Sequence, residues 1–149
     1  MFDNYVKKGF LKHQSVNFKQ IEKQMVRAKK DIETANHVID YDPEWGTTIA
    51  YQAMLRAGRA LIFSNGYLPS DGQQHKTVVE ITNILLGKEY ALLVEKFERM
   101  RRNRNTFFYE SDPFGTLTDA KLSIEAASQL ILAIQKLIQK GNPQTHLNL

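Results

Sequence analysis

Apolar residues recur at three- and four-residue spacing along nearly the whole chain, the period of helices that bury one face. From Phe18 to Asp40, residues Ile21, Met25, Ala28, Ile32, Ala35 and Ile39 make one such stripe, with Lys23, Arg27, Lys30 and Glu33 on the other face. A second helix opens at Asp42-Pro43, with Asp42 as its cap and Pro43 at the first helical position, where a missing N–H costs nothing. It runs to about Asn65 and is apolar on two sides, one of Ala50, Ala53, Met54, Ala57, Ala60 and Leu61, the other of Tyr51, Leu55, Gly58 and Ile62, which places it centrally. Its small residues Ala57, Gly58 and Ala60 permit close approach of a neighbour, and Gly66 stops it. After a loop over Tyr67–Gly72, a short helix is expected from about Gln74 to Leu86, with Val78, Ile81 and Leu85 inward. A fourth follows from about Lys88 to Glu110 on Tyr90, Leu93, Val94 and Phe97. The last begins near Thr116, where Asp119 completes a capping pair, and is lined by Leu122, Ala126, Leu130, Ala133, Ile134 and Leu137 until Gly141-Asn142-Pro143. With no run of β alternation, the pattern predicts an all-α bundle of about five helices.

The 149 residues, 42% of them hydrophobic, suit a single domain over 1–149 with its core at about 18–140, a loose arm over 1–15 and a frayed C-terminal tail. Absence of cysteine excludes disulfides, thiolate chemistry and cysteine-bound zinc. His13, His37, His75 and His146 lack ligand spacing, so neither a metal nor a cofactor is expected. No apolar run spans a membrane and the first residues lack a signal-peptide core, which predicts a cytoplasmic protein with no membrane partner. Trp45 is read as packing, and Asp40, Asp42 and Glu44 as turn and cap residues.

A net charge of +4 says little by itself; its placement says more. Arg99, Arg101, Arg102 and Arg104 fall within six positions on the fourth helix, ahead of Asn105 and Tyr109. At about 100° per residue, Phe97, Arg101, Arg104 and Phe108 continue the stripe begun by Leu93, so two arginines stand where core residues would run on. That position is costly unless they meet an anion, a carboxylate or a subunit cleft. Arg102, Asn105 and Tyr109 share another face, and Arg104 and Tyr109 lie about 140° apart. One reading is a phosphate groove in which Arg101, Arg102 and Arg104 hold a backbone, Asn105 orients it and Tyr109 stacks on a base or meets a phosphate. The other is that the arginines pair with Glu98, Glu110, Glu80 or Asp112 and tie the bundle together. Arg56 and Arg59 extend the groove if their side of the central helix faces the fourth helix, and are ordinary surface residues otherwise.

Tyr51-Gln52-Ala53-Met54-Leu55-Arg56-Ala57-Gly58-Arg59-Ala60-Leu61-Ile62, then Gly66-Tyr67-Leu68-Pro69, then His75-Lys76 and the late Arg-Asn motif resemble the HEPN domain family over about residues 18–140. The resemblance implies an up-and-down helical fold and a homodimer in which paired motif helices build a shared cleft. It also implies a function among the family's RNA-cleaving toxins, nucleotide- or RNA-binding domains, and helical partners of small nucleotidyltransferases. The family's catalytic signature is Arg, four to six residues, then His. Here Arg104-Asn105 falls on the Arg-Asn pair and Tyr109 on the histidine position, giving Arg104, Asn105 and Tyr109 as the implied catalytic set. Arg59, Arg101, Arg102, Arg104 and Asn105 are the implied RNA- or nucleotide-binding set. Tyrosine, with a reference pKa near 10, is a poor base beside histidine, so the variant is open to binding alone or to metal-independent cleavage of RNA. In the family reading His75 is mainly architectural, hydrogen-bonded near the central helix. The alternative is a non-catalytic interaction protein, partner of a nucleotidyltransferase or of an antitoxin.

Overall fold

The computed structural model describes residues 1–70, 74–109 and 116–141, with the side chains of 105–109 outside that description. The chain is an all-α bundle joined by a two-stranded ribbon. The elements are α1 (Asp3–Lys7), β1 (Leu11–His13), α2 (Phe18–Val38), α3 (Pro43–Ser64), β2 (Tyr67–Pro69), α4 (Gln74–Leu86), a 3-10 turn over Lys88–Tyr90, α5 (Ala91–Tyr109) and α6 (Leu117–Gly141). The apolar spacing places α3 at the centre, packed against α2, α4, α5 and α6. Tyr51, Met54, Leu55, Leu61 and Ile62 on α3 are fully buried, as are Ile21, Met25, Phe97, Leu130 and Ile134 on its neighbours. Gly58 is the point of closest approach: an added Cβ would lie 2.6 Å from Cγ1 of Val78 and 3.0 Å from Oγ1 of Thr82, so only glycine lets α4 seat here.

The ends of the helices follow their cap chemistry. Oδ1 of Asp42 accepts the Trp45 N–H at 3.1 Å, with Pro43 in the first turn. Thr116 and Asp119 form a reciprocal box in which each backbone N–H donates to the other's side chain at 3.1 Å. Gly66, at φ +87°, turns the chain from α3 into β2.

Several expectations are corrected. Residues 1–15 are not a loose arm. β1 pairs antiparallel with β2 in the register Leu11–Pro69, Lys12–Leu68 and His13–Tyr67, and Phe2 and Leu11 are buried. Phe2 packs edge-on against both Tyr5 and Tyr67, so the N-terminus closes over the turn after α3. Strands of three residues are too short to show alternation, and β2 occupies part of the expected loop. The fourth helix starts with a separate 3-10 turn. Leu122, expected in the core, is 52% exposed, and Trp45 is also exposed. The expected C-terminal fraying falls on residues 142–149, outside the described residues. Among the described residues, no helix is long and apolar enough to cross a membrane.

Candidate anion-binding site

The arginines of α5 emerge where its apolar stripe runs out. Val94, Phe97 and Met100 are buried, and the same side then carries half-buried Arg101 and Arg104. Arg102 and Asn103 project outward. Glu98 accepts from Arg101 twice, from Nε at 3.0 Å and from Nη2 at 2.7 Å, and from Nε of Arg102 at 3.1 Å. One carboxylate thus answers two guanidinium groups. These hydrogen bonds hold Glu98 below the ordinary carboxylate range and raise Arg101. The ion-pair reading therefore applies to Glu98. Glu110 and Asp112, its other suggested partners, lie outside the described residues, and Glu80 instead accepts from the Tyr5 hydroxyl at 3.3 Å.

The two α3 arginines diverge. Arg56 turns toward α2, where its Nε donates to Oδ2 of Asp31 at 3.0 Å, while Nε of Arg27 donates to Oδ1 at 3.1 Å. Asp31 is only 5% exposed. Arg56 is thus an interhelical tie and no part of the groove. Arg59 takes the other course: it is half-buried beside Tyr51, and burial lowers its pKa.

A pair that sequence reasoning undervalued joins α3 to the start of α4. The Tyr51 hydroxyl and Nδ1 of His75 are 2.9 Å apart, with Tyr51 fully buried against Phe97. Desolvation raises the Tyr51 pKa, outweighing the opposing pull of Arg104, Arg101 and Arg59, so the hydroxyl keeps its proton. His75 is pushed down to about 4, first by desolvation and then by Arg104, Arg59 and Arg101. It is neutral at pH 7, and on the hydrogen-bond geometry we assign the Tyr51 O–H as donor to Nδ1, leaving the ring proton on Nε2. The three arginines come from two helices and act on one point. The expected architectural bond of His75 to the central helix is present, and it lies inside the positive cluster. The signal that could have found it is the sequence itself, in the Tyr51 and His75 of the two resembling segments.

Of the residues proposed for chemistry, Arg59, Arg101 and Arg104 act electrostatically on this pair, whereas Arg102 is exposed and bonded to Glu98. The side chains of Asn105 and Tyr109 lie outside the described residues. Arg104 and Tyr51 also line a cavity of about 440 Å³ between the starts of α3 and α6 and the middle of α5. Among the described residues, no three side chains of metal-binding type gather to hold an ion.

The family model described as HEPN domain matches residues 21–137. A search of the curated proteins gave no significant match. The match covers well over half of the 149 residues, so the chain belongs to the HEPN domain family.

Proposed function

On that membership, we propose that this protein binds RNA, or a nucleotide, through phosphate held by Arg59, Arg101 and Arg104 beside the Tyr51–His75 pair. The observation that carries the reading is the 2.9 Å Tyr51–His75 pair, with Tyr51 and Arg104 lining one cavity and Arg59, Arg101 and Arg104 acting on the histidine. Guanidinium donors brought to one partly desolvated point can share their hydrogen bonds and charge with an entering anion. Guanidinium groups suit phosphate, since each offers a planar fork of donors. His75 enters as a neutral donor through Nε2, and Arg102, on the open side, adds a backbone contact. Asn105 and Tyr109 remain in the proposal as the residues that would orient the strand and face the reacting phosphate in a cleft shared by two copies of the chain.

The test is binding of single-stranded RNA by the purified protein across a salt series in EDTA, with cleavage followed in the same samples. Arg104→Ala should lower affinity by about tenfold or more, the scale of a charge-assisted hydrogen bond, with the melting temperature little changed. Cleavage lost in both Arg104→Ala and Tyr109→Phe would assign a metal-independent ribonuclease. Binding without cleavage would assign a member that holds RNA. Unaltered RNA binding by Arg104→Ala rejects the site, and no RNA binding at all would transfer the case to a protein partner such as a nucleotidyltransferase.

A further inference from the structure

The cavity behind the arginine cluster has two chemically different walls. The α5 wall supplies donors and positive charge from Lys96, Arg99, Asn103 and Arg104. The α3 and α6 wall supplies acceptors. The Thr47 hydroxyl donates to the Pro43 carbonyl at 3.0 Å and the Thr48 hydroxyl to the Glu44 carbonyl at 2.9 Å, so each spends its proton on the backbone and turns oxygen lone pairs to other donors. Asp119 adds a carboxylate, one oxygen of which accepts the Thr116 N–H. Between the walls, Met100 and Leu122 contribute apolar surface, Met100 buried and Leu122 half exposed at the rim. The enclosed volume of about 440 Å³ lies in the range of small-molecule sites.

A ligand matched to this cavity carries negative charge at one end and a flat ring with hydrogen-bond donors at the other. We propose that the cavity takes one nucleotide whose base bears an exocyclic amine, adenine, cytosine or guanine, with its phosphate on Arg104 and its base toward Thr47, Thr48 and Asp119. The assignment rests on the phosphate-binding reading above and adds base selectivity to it. The amine donates to the acceptor wall, whereas uracil turns a carbonyl oxygen toward the same lone pairs. Arg104 belongs to both sites, so an RNA strand that lays its backbone on the cluster can deliver one base into the cavity.

The experiment is calorimetric titration of the full chain with AMP, UMP and inorganic phosphate, and of oligo-A against oligo-U, for wild type, Leu122→Trp and the milder Leu122→Phe. Residue 122 is half exposed, so both substitutions close the cavity rim and spare the buried core. The expected result is AMP about tenfold tighter than UMP or phosphate, the scale of one lost hydrogen bond with its partner left unpaired. Leu122→Trp should bring AMP down to the phosphate level and leave phosphate affinity unchanged, with Leu122→Phe between. Preference for oligo-A without AMP binding would identify the nucleotide as part of a strand; AMP binding as strong as that of oligo-A would identify a free nucleotide. Equal affinities for AMP, UMP and phosphate with oligo-A equal to oligo-U, or a preference that survives Leu122→Trp, overturns the cavity assignment while salt-dependent RNA binding keeps the cluster. Absence of all binding overturns both.

Discussion

Arg56 and Arg59 stand three residues apart on α3 and meet opposite surroundings. Arg56 reaches α2 and shares a buried carboxylate, Asp31, with Arg27. Arg59 reaches the α5 side, where Arg101 and Arg104 act on the same Tyr51–His75 pair and Glu98 is divided between Arg101 and Arg102. In the first region a carboxylate taken out of water is held by two guanidinium groups, and both helices gain a fixed crossing. In the second, guanidinium groups from two helices act on one neutral histidine at a half-buried point. Arg56 serves a fixed carboxylate within the fold, whereas Arg59 stands in the cluster proposed to receive an anion.

The largest expected effect lies in the first region. Asp31→Ala leaves Arg56 facing α2 without its carboxylate, and should lower unfolding free energy by roughly 2–3 kcal/mol in urea titrations, reduced from the fully buried case because both arginines are partly solvated. RNA affinity should not move. If Asp31→Ala weakened RNA binding while its stability held, the division between the two regions would be wrong. In the second region, Arg101→Ala should lower RNA affinity by about tenfold, which filter binding at fixed salt would detect, and it also removes the bidentate partner of Glu98.

A pH effect of intermediate size separates the regions further. His75 titrates near 4 in the folded chain against about 6.5 when unfolded, so between these values the unfolded state holds more protons. Stability is therefore fully present above about pH 6.5 and is lost as pH falls toward 4. After allowance for the ring's partial exposure the loss amounts to roughly 1–2 kcal/mol. His75→Gln, which can still accept from Tyr51, should flatten this slope in denaturation curves taken across pH 4–7, and an unchanged slope would place its origin elsewhere. The smallest effect belongs to Arg102, whose side chain is 73% exposed. Its alanine variant should keep stability within about 0.5 kcal/mol and reduce the salt slope of RNA binding by about one.

Legibility in the sequence tracked the range of the interaction. Local chemistry was readable: the Asp42-Pro43 start of α3, the Thr116 and Asp119 box, and α4 over Gln74–Leu86 all follow from residues within a turn of one another. Placement of Arg101 and Arg104 in line with Phe97 also followed from helical twist alone. Other features depend on partners far along the chain. β1 meets β2 across more than fifty residues, and nothing within Leu11–His13 announces it. Arg56 and Arg59 were indistinguishable until Asp31, 25 residues before Arg56, took one of them. Tyr51 and His75, 24 apart, were visible as residues but not as a pair. Leu122 keeps helical spacing with the α6 stripe, yet it stands half exposed at the cavity rim while Ala120 and Ile124 beside it are buried.

The most direct measurement is RNA affinity and urea stability of Arg56→Ala beside Arg59→Ala, two substitutions of the same kind on one helix. The account predicts that Arg56→Ala loses stability and keeps RNA affinity, whereas Arg59→Ala loses RNA affinity by about tenfold and keeps stability. Equal losses of RNA affinity in the two variants, or none in Arg59→Ala, would contradict it.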